Sequence, residues 1–405
     1  MIRRLSIITA LTLSLISTSS VLAQTKKPQS PDKFAPNPLE IKVSDPLLPA
    51  RKLDVQPLTP TELQQLEVAL DNLNQEATTK FQAGNKEEAF DTWNRELRLR
   101  RYFGNLAEVQ ALSRVGEIAW RDNDRQQVQY ITQRLQSIQK PKKLQPVSDL
   151  EVLRALGQAY QNIRAPKLAL EVYYQVLAQV QQQQNTVAEV ETLTTIGSIH
   201  MSWFDYPQAA VTYEQLLSLA SKRGERENEV AYLKQLAYIY EQARLPQQSV
   251  KIRSQLAEIY TRENIRDEIP ALRMSIAADY EALAKQDPSQ LENAFQNYQQ
   301  AYTIAWEQEQ FVRAGEALQK LVALYRSQGQ IDEALQTSQI LLQSEELAGN
   351  FYGMMTTYDQ IGQMYLQRKQ YPQARNAFQE GLKIAQQLRY EDSYFSEQIQ
   401  KIPTN

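Results

Sequence analysis

One recurring spacing constrains this chain more than any other property. From Ile361 to Gln387 the sequence IGQMYLQRKQYPQARNAFQEGLKIAQQ sets small and apolar residues at helical intervals, first Ile361, Gly362 and Tyr365, then Ala374, Ala377, Phe378 and Leu382, with Pro372 between the runs. That pattern is two helices joined by a tight turn, and it occurs seven more times. Anchoring on the small residue of each first helix gives Ala77, Gly116, Gly157, Gly197, Ala237, Ala277, Val322 and Gly362, at spacings of 39, 41, 40, 40, 40, 45 and 40. One helical pair cannot bury its own apolar face, so a fixed period of this length means pairs stacked on their neighbours. The expectation is an all-α solenoid of about eight helix-turn-helix repeats, one elongated domain in place of the two or three compact ones that 405 residues would otherwise suggest.

In six of the eight repeats the first helix carries a core stripe, Leu73, Leu112, Leu153, Leu193, Leu233 and Leu318, one turn before the anchor. Tyr160, Tyr240, Tyr280, Tyr325 and Tyr365 follow one turn after it, large residues beside a small one where two backbones come close. Second helices repeat the theme: Ala89, Ala169, Ala209, Ala294, Ala334 and Ala374 are followed four residues on by Trp93, Tyr173, Tyr213, Tyr298, Ser338 and Phe378. Gln248 stands where repeat five would carry its alanine. Gly104, Gly224, Asn264 and Gly349, each 27 residues past an anchor, suit left-handed helix caps. KQDPSQ at 285–290 lengthens one turn, and KPKKLQP at 140–146 makes a basic loop.

The flanks differ from this body. Residues 1–23 combine Arg3 and Arg4, an apolar run of about ten residues where a membrane span needs roughly twenty, and Val21-Leu22-Ala23 before Gln24, which reads as a cleaved signal peptide. Residues 24–60 hold eight of the seventeen prolines and read as an extended linker; Leu39 to Val43 could dock on the solenoid, though a plain tether is the simpler reading. Helix is expected from Thr61, with the solenoid over 61–389 and a C-terminal cap over 390–405.

Chemistry is sparse. No cysteine is present, which excludes disulfides, thiolate metal sites and a cysteine nucleophile. The single histidine, His200, falls on the tyrosine position of repeat four, and GSIHMSWFD around it has nothing of a nucleophile elbow, so a core role is expected. Glycine-rich phosphate loops are absent from the sequence, and Asp122-Asn123-Asp124 is a turn without the rest of a calcium loop. No enzyme activity, metal or cofactor is expected. A formal charge of -3, or -5 without Arg3 and Arg4, gives no reason to expect nucleic acid. The strongest basic feature is the run from Arg95 to Arg101, read as an exposed helix face or as a patch for an acidic partner.

Small-x-x-Tyr in one helix, a polar turn, then Ala-x-x-x-aromatic in the next, as in Gly362, Tyr365, Ala374 and Phe378, resembles the tetratricopeptide repeat (TPR). The forty-residue period is similar to the longer variant of kinesin light chains and bacterial peptide-sensing regulators, and the leader is of a bacterial exported type. The resemblance implies a right-handed superhelix whose first helices line a concave groove for proteins or peptides. A second, polar stripe on those helices would line it: Asn74, Arg121, Arg154, Gln158, Gln161, Lys234, Tyr238 and Arg326, with Glu241, Gln319 and Gln363. Neither the two-carboxylate clamp of chaperone-binding relatives nor the asparagine ladder of the peptide sensors is found, and a solvated stripe without ligand is the alternative. The expected function is an exported scaffold, in the periplasm or an equivalent lumen, that binds a protein or extended peptide and assists assembly; the alternative is a peptide-sensing regulator that changes superhelical shape.

Overall fold

The computed structural model describes residues 36–41, 44–51, 53, 56–140, 148–390 and 392–403. The leader and nearly all of the basic loop lie outside them. Among the described residues there are seventeen α-helices and no strand. The chain divides into two compact units, residues 1–142 and 143–405.

In the first unit α1 (Pro60–Gln82) pairs with α2 (Lys86–Arg100), and α3 (Asn105–Arg121) with α4 (Arg125–Gln139). α1 starts earlier than its sequence suggests. Thr59, not Thr61, is the N-cap, because its hydroxyl accepts from Glu62 N–H while the Glu62 carboxylate accepts from Thr59 N–H. Pro60 then occupies the first helical position, where its missing donor costs nothing.

The second unit stacks six pairs: α5 (Leu150–Asn162) with α6 (Pro166–Gln182), α7 (Thr186–Ser202) with α8 (Tyr206–Arg223), α9 (Arg226–Gln242) with α10 (Pro246–Arg262), α11 (Ile269–Ala284) with α12 (Leu291–Glu307), α13 (Phe311–Ser327) with α14 (Ile331–Leu347), and α15 (Phe351–Gln367) with α16 (Tyr371–Leu388). α17 (Asp392–Lys401) packs on α16. The Leu73, Leu112, Leu153, Leu193, Leu233 and Leu318 stripe is buried throughout.

Turn geometry is more regular than the sequence that encodes it. Among the described residues fourteen have positive φ, and all fall seven residues past an anchor or at the end of a second helix. The first set is Gly84, Asn123, Arg164, Phe204, Arg244, Gly329 and Lys369; the second is Gly104, Gln184, Gly224, Asn264, Glu309, Gly349 and Arg389. At such a turn the N–H of the next residue closes on the last turn of the helix, as Ala165 on Tyr160 O at 2.8 Å and Gln370 on Tyr365 O at 2.9 Å. Repeat six lacks its first turn because 285–290 replaces it: α11 ends at Ala284 and a 3-10 turn, Pro288–Gln290, is capped by Asp287.

In repeats three, four and eight the anchor is glycine because an aromatic ring of the second helix lies on it. A Cβ added at Gly157 would stand 2.7 Å from the Tyr173 ring, at Gly197 2.8 Å from Tyr213, and at Gly362 2.6 Å from Phe378. Repeat seven exchanges the two volumes, with Val322 as the anchor and Ser338 at the aromatic position, both fully buried or nearly so. In repeat five the alanine equivalent is Ser249, fully buried, and not its exposed neighbour Gln248. At the C-terminal end Phe395 of α17 is buried and lies edge-on to Phe378 at 6.5 Å, so α17 covers α16.

Candidate functional site

The polar stripe of the first helices can now be placed residue by residue. In the second unit Arg154 and Gln158 on α5 and Lys234 and Tyr238 on α9 hold equivalent positions, three residues before and one after the anchor, and all four are exposed. Among the described residues Arg154 and Lys234 form no salt bridge. Lys234 Nζ stands 5.8 Å from the centre of the Tyr260 ring, and Tyr238 keeps 48% of its surface in solvent. Thr194 and Ser198 on α7 extend the exposed stripe through the repeat between them.

Other predicted members have internal duties. Gln161 Nε2 donates to the Tyr173 hydroxyl at 2.9 Å, tying α5 to α6. Gln319 is the repeat-seven equivalent of Arg154, and its Nε2 donates to the buried Glu345 at 2.8 Å. Arg326 is exposed two turns further along α13. Gln363 and Asp359 meet the Tyr394 hydroxyl of α17 at 3.3 and 2.9 Å, so the stripe of the last repeat is engaged by the C-terminal helix. Glu241 pairs with Arg253. In the first unit Asn74 is half-buried and accepts from Trp93 Nε1 at 3.0 Å and from Arg114; Arg121, 73% exposed at its side chain, pairs with Glu117 at 2.6 Å.

His200 is buried, with Nε2 3.2 Å from the Tyr174 hydroxyl and Nδ1 3.1 Å from Asp205. Two polar neighbours on adjoining elements hold the ring in a structural place. Among the described residues no group of three or more histidines and carboxylates could hold a metal ion.

The Arg95–Arg101 run behaves otherwise than an exposed face. Leu39 of the proline-rich arm is 1% exposed, and the short 3-10 turn that carries it (Pro38–Glu40) lies against α2 and α4. Arg98 Nη1 donates to Pro38 O at 2.9 Å and Arg101 Nη2 to Leu39 O at 2.7 Å. Arg95 grips the Asp45 carboxylate with two bonds of 2.8 Å, while Arg134 of α4 reaches Glu40 at 3.2 Å and holds Glu108 at 2.6 and 3.0 Å. Asn37 Nδ2 donates to Tyr130 O at 3.0 Å and Gln133 Oε1 at 3.2 Å. Residues 37–40 and Asp45 are therefore docked rather than part of a bare tether, while residues 42 and 43 of the expected docking stretch lie outside the described residues. Arg95 and Arg98 on α2 and Arg101 just past its end recur every three residues, the spacing of one helix face, which is the signal in the sequence that could have marked them as a set.

Comparison with known proteins adds a family for part of the chain. Residues 313–387 match the tetratricopeptide repeat. The matched stretch takes in α13 to α16, and the earlier pairs share its left-handed turns and buried anchors. No curated protein matches the chain. Among solved structures, the apo form of RapI is 12% identical with a TM-score of 0.36, covering 82% of this chain and 97% of that one. The nearly identical TPR-like repeats of a putative kinesin light chain from Podosopora anserina are 18% identical with a TM-score of 0.32, over 50% of this chain and 96% of that one. A STAND protein with a tetratricopeptide repeat sensor from Pyrococcus horikoshii is 11% identical at 0.39, over 84% and 48%. The fold is all-α and TPR-like.

Proposed function

We propose that the protein is a scaffold that holds a protein or an extended peptide on the first-helix stripe of its second unit. The observation that carries this reading is the pair Arg154 and Lys234, equivalent positions two repeats apart, exposed and outside any salt bridge of the described residues, with the open Tyr238 ring one turn from Lys234. Cations left unpaired beside an exposed aromatic suit an acidic or carbonyl-rich ligand and contribute little to folding, since exposed ion pairs are worth about 0–1 kcal/mol. Charge reversal by Arg154→Glu with Lys234→Glu tests it: helicity and melting stay, and capture of the native partner falls.

Export is part of the same proposal. The leader at 1–23 would be removed, so that the mature chain works in the periplasm or an equivalent lumen as an assembly factor. An intact mass that begins at Gln24 is expected; residues 1–23 retained on the exported form would refute it. A peptide-sensing role is the second reading, favoured by the docked arm, in which the first unit holds a short turned segment of the chain. Short peptides that raise the melting temperature by themselves would select it over the scaffold.

A further inference from the structure

We infer that the arginine-lined groove on α2 and α4 of the first unit is a peptide-binding site, that its ligand class is a short acidic segment turned about one leucine anchor, and that residues 37–41 with Asp45 occupy it in cis.

The contacts are those of ligand recognition rather than of a core element. Two guanidiniums take main-chain carbonyls of the 3-10 turn, at Pro38 and Leu39, which holds a turned backbone without regard to side chains. One apolar side chain, Leu39, fills the groove, while its neighbour Ile41 remains 45% exposed. Two carboxylates, Glu40 and Asp45, meet Arg134 and Arg95. Pro38 fixes its own φ and lowers the entropy lost when the segment docks.

The cis segment leaves the groove incompletely satisfied. Arg101 Nε is buried without an acceptor among the described residues, a costly state for a charged donor. Its guanidinium, like that of Arg98, is held below the ordinary arginine range, first by burial, because the carboxylates within reach do not compensate for the lost water. Four arginines face Glu108 and the two acids that the arm brings. A ligand with an additional acceptor near Arg101 can therefore bind better per contact than the arm does. The arm has a different advantage. It is joined to α1 by a short connection, and its effective concentration is on the order of millimolar. It acts as an occluding strap that only a better matched acidic segment displaces.

The site is independent of Arg154 and Lys234, so it can be tested apart from the proposal for the second unit. The probe is a fluorescent peptide of residues 36–46, PNPLEIKVSDP, added to the full chain and read by anisotropy. Two full-length variants release the strap by different routes: Leu39→Asp removes the anchor, and Glu40→Lys with Asp45→Lys removes the ion pairs while keeping the leucine. Each variant that keeps its helical circular dichroism should bind the peptide saturably, and wild type roughly a hundredfold more weakly. Adding Arg98→Glu and Arg101→Glu to a released variant should abolish binding, and a probe with aspartate at the leucine should not bind. A folded, released chain that fails to bind the peptide, or wild type that binds it as well as the variants, would overturn the inference. So would binding that survives the two arginine reversals.

Discussion

At the scale of single residues the fold rests on matched volumes across each helical pair. Gly197 is small because the Tyr213 ring would stand 2.8 Å from any Cβ there, and Gly224 is a glycine for another reason, its φ of 68° in open space. The two should fail differently. Gly197→Leu is expected to cost about 1–3 kcal/mol by overpacking, and Gly224→Ala about 1 kcal/mol through left-handed strain alone. Chemical denaturation decides it; equal stability of both variants would show that the register of the second unit is misread. This level was largely legible in the sequence, since small-large alternation at fixed offsets is a packing signature. The left-handed turns were legible only at Gly104, Gly224, Asn264 and Gly349. Arg164, Gln184, Phe204, Arg244 and Lys369 adopt the same conformation with side chains that do not favour it, because neighbouring pairs impose the turn once the period is set.

Between elements, buried charge holds selected pairs in place. Arg253 of α10, whose side chain is 9% exposed, occupies the position that carries an aromatic ring in most other repeats, and donates from Nη1 to Asp279 of α11 at 2.6 Å as well as to Glu241 of α9. Burial pushes the Asp279 carboxyl above its ordinary range even with Arg253 beside it. Arg253→Ala would strand that carboxylate, and a loss of about 3–5 kcal/mol is expected. Arg253→Met keeps the volume and should cost less when Asp279→Leu accompanies it. Urea midpoints of the three variants check this, and an unchanged midpoint for Arg253→Ala would refute a structural role for the pair. Such links were hidden in the sequence, where Arg253 was one of many charges on a helix. The arm was hidden for a related reason: Arg98 and Arg101 bind main-chain carbonyls, which leave no mark in side-chain composition.

For the whole molecule, the helical repeat could be read from spacing alone, while the binding surface could be read only in part. An offset stripe on the first helices is fixed by geometry once the core stripe is known, so Arg154, Gln158, Lys234 and Tyr238 were placed on an open face. Asn74, Gln161 and Gln319 belong to the same stripe but are spent on Trp93, Tyr173 and Glu345, because whether a polar side chain finds an internal partner depends on contacts between helices that no spacing encodes. What distinguishes a binding surface from a solvated one is therefore the set of charges left over. The most direct measurement is capture of the native partner from cell extracts by wild type and by the Arg154→Glu, Lys234→Glu variant, at low and high salt, with circular dichroism and melting recorded on both. The account predicts equal folding, wild-type capture that falls as salt rises, and strongly reduced capture by the variant through slower association and lost contacts. Undiminished capture by the folded variant would contradict it and move the binding surface away from the first helices of the second unit.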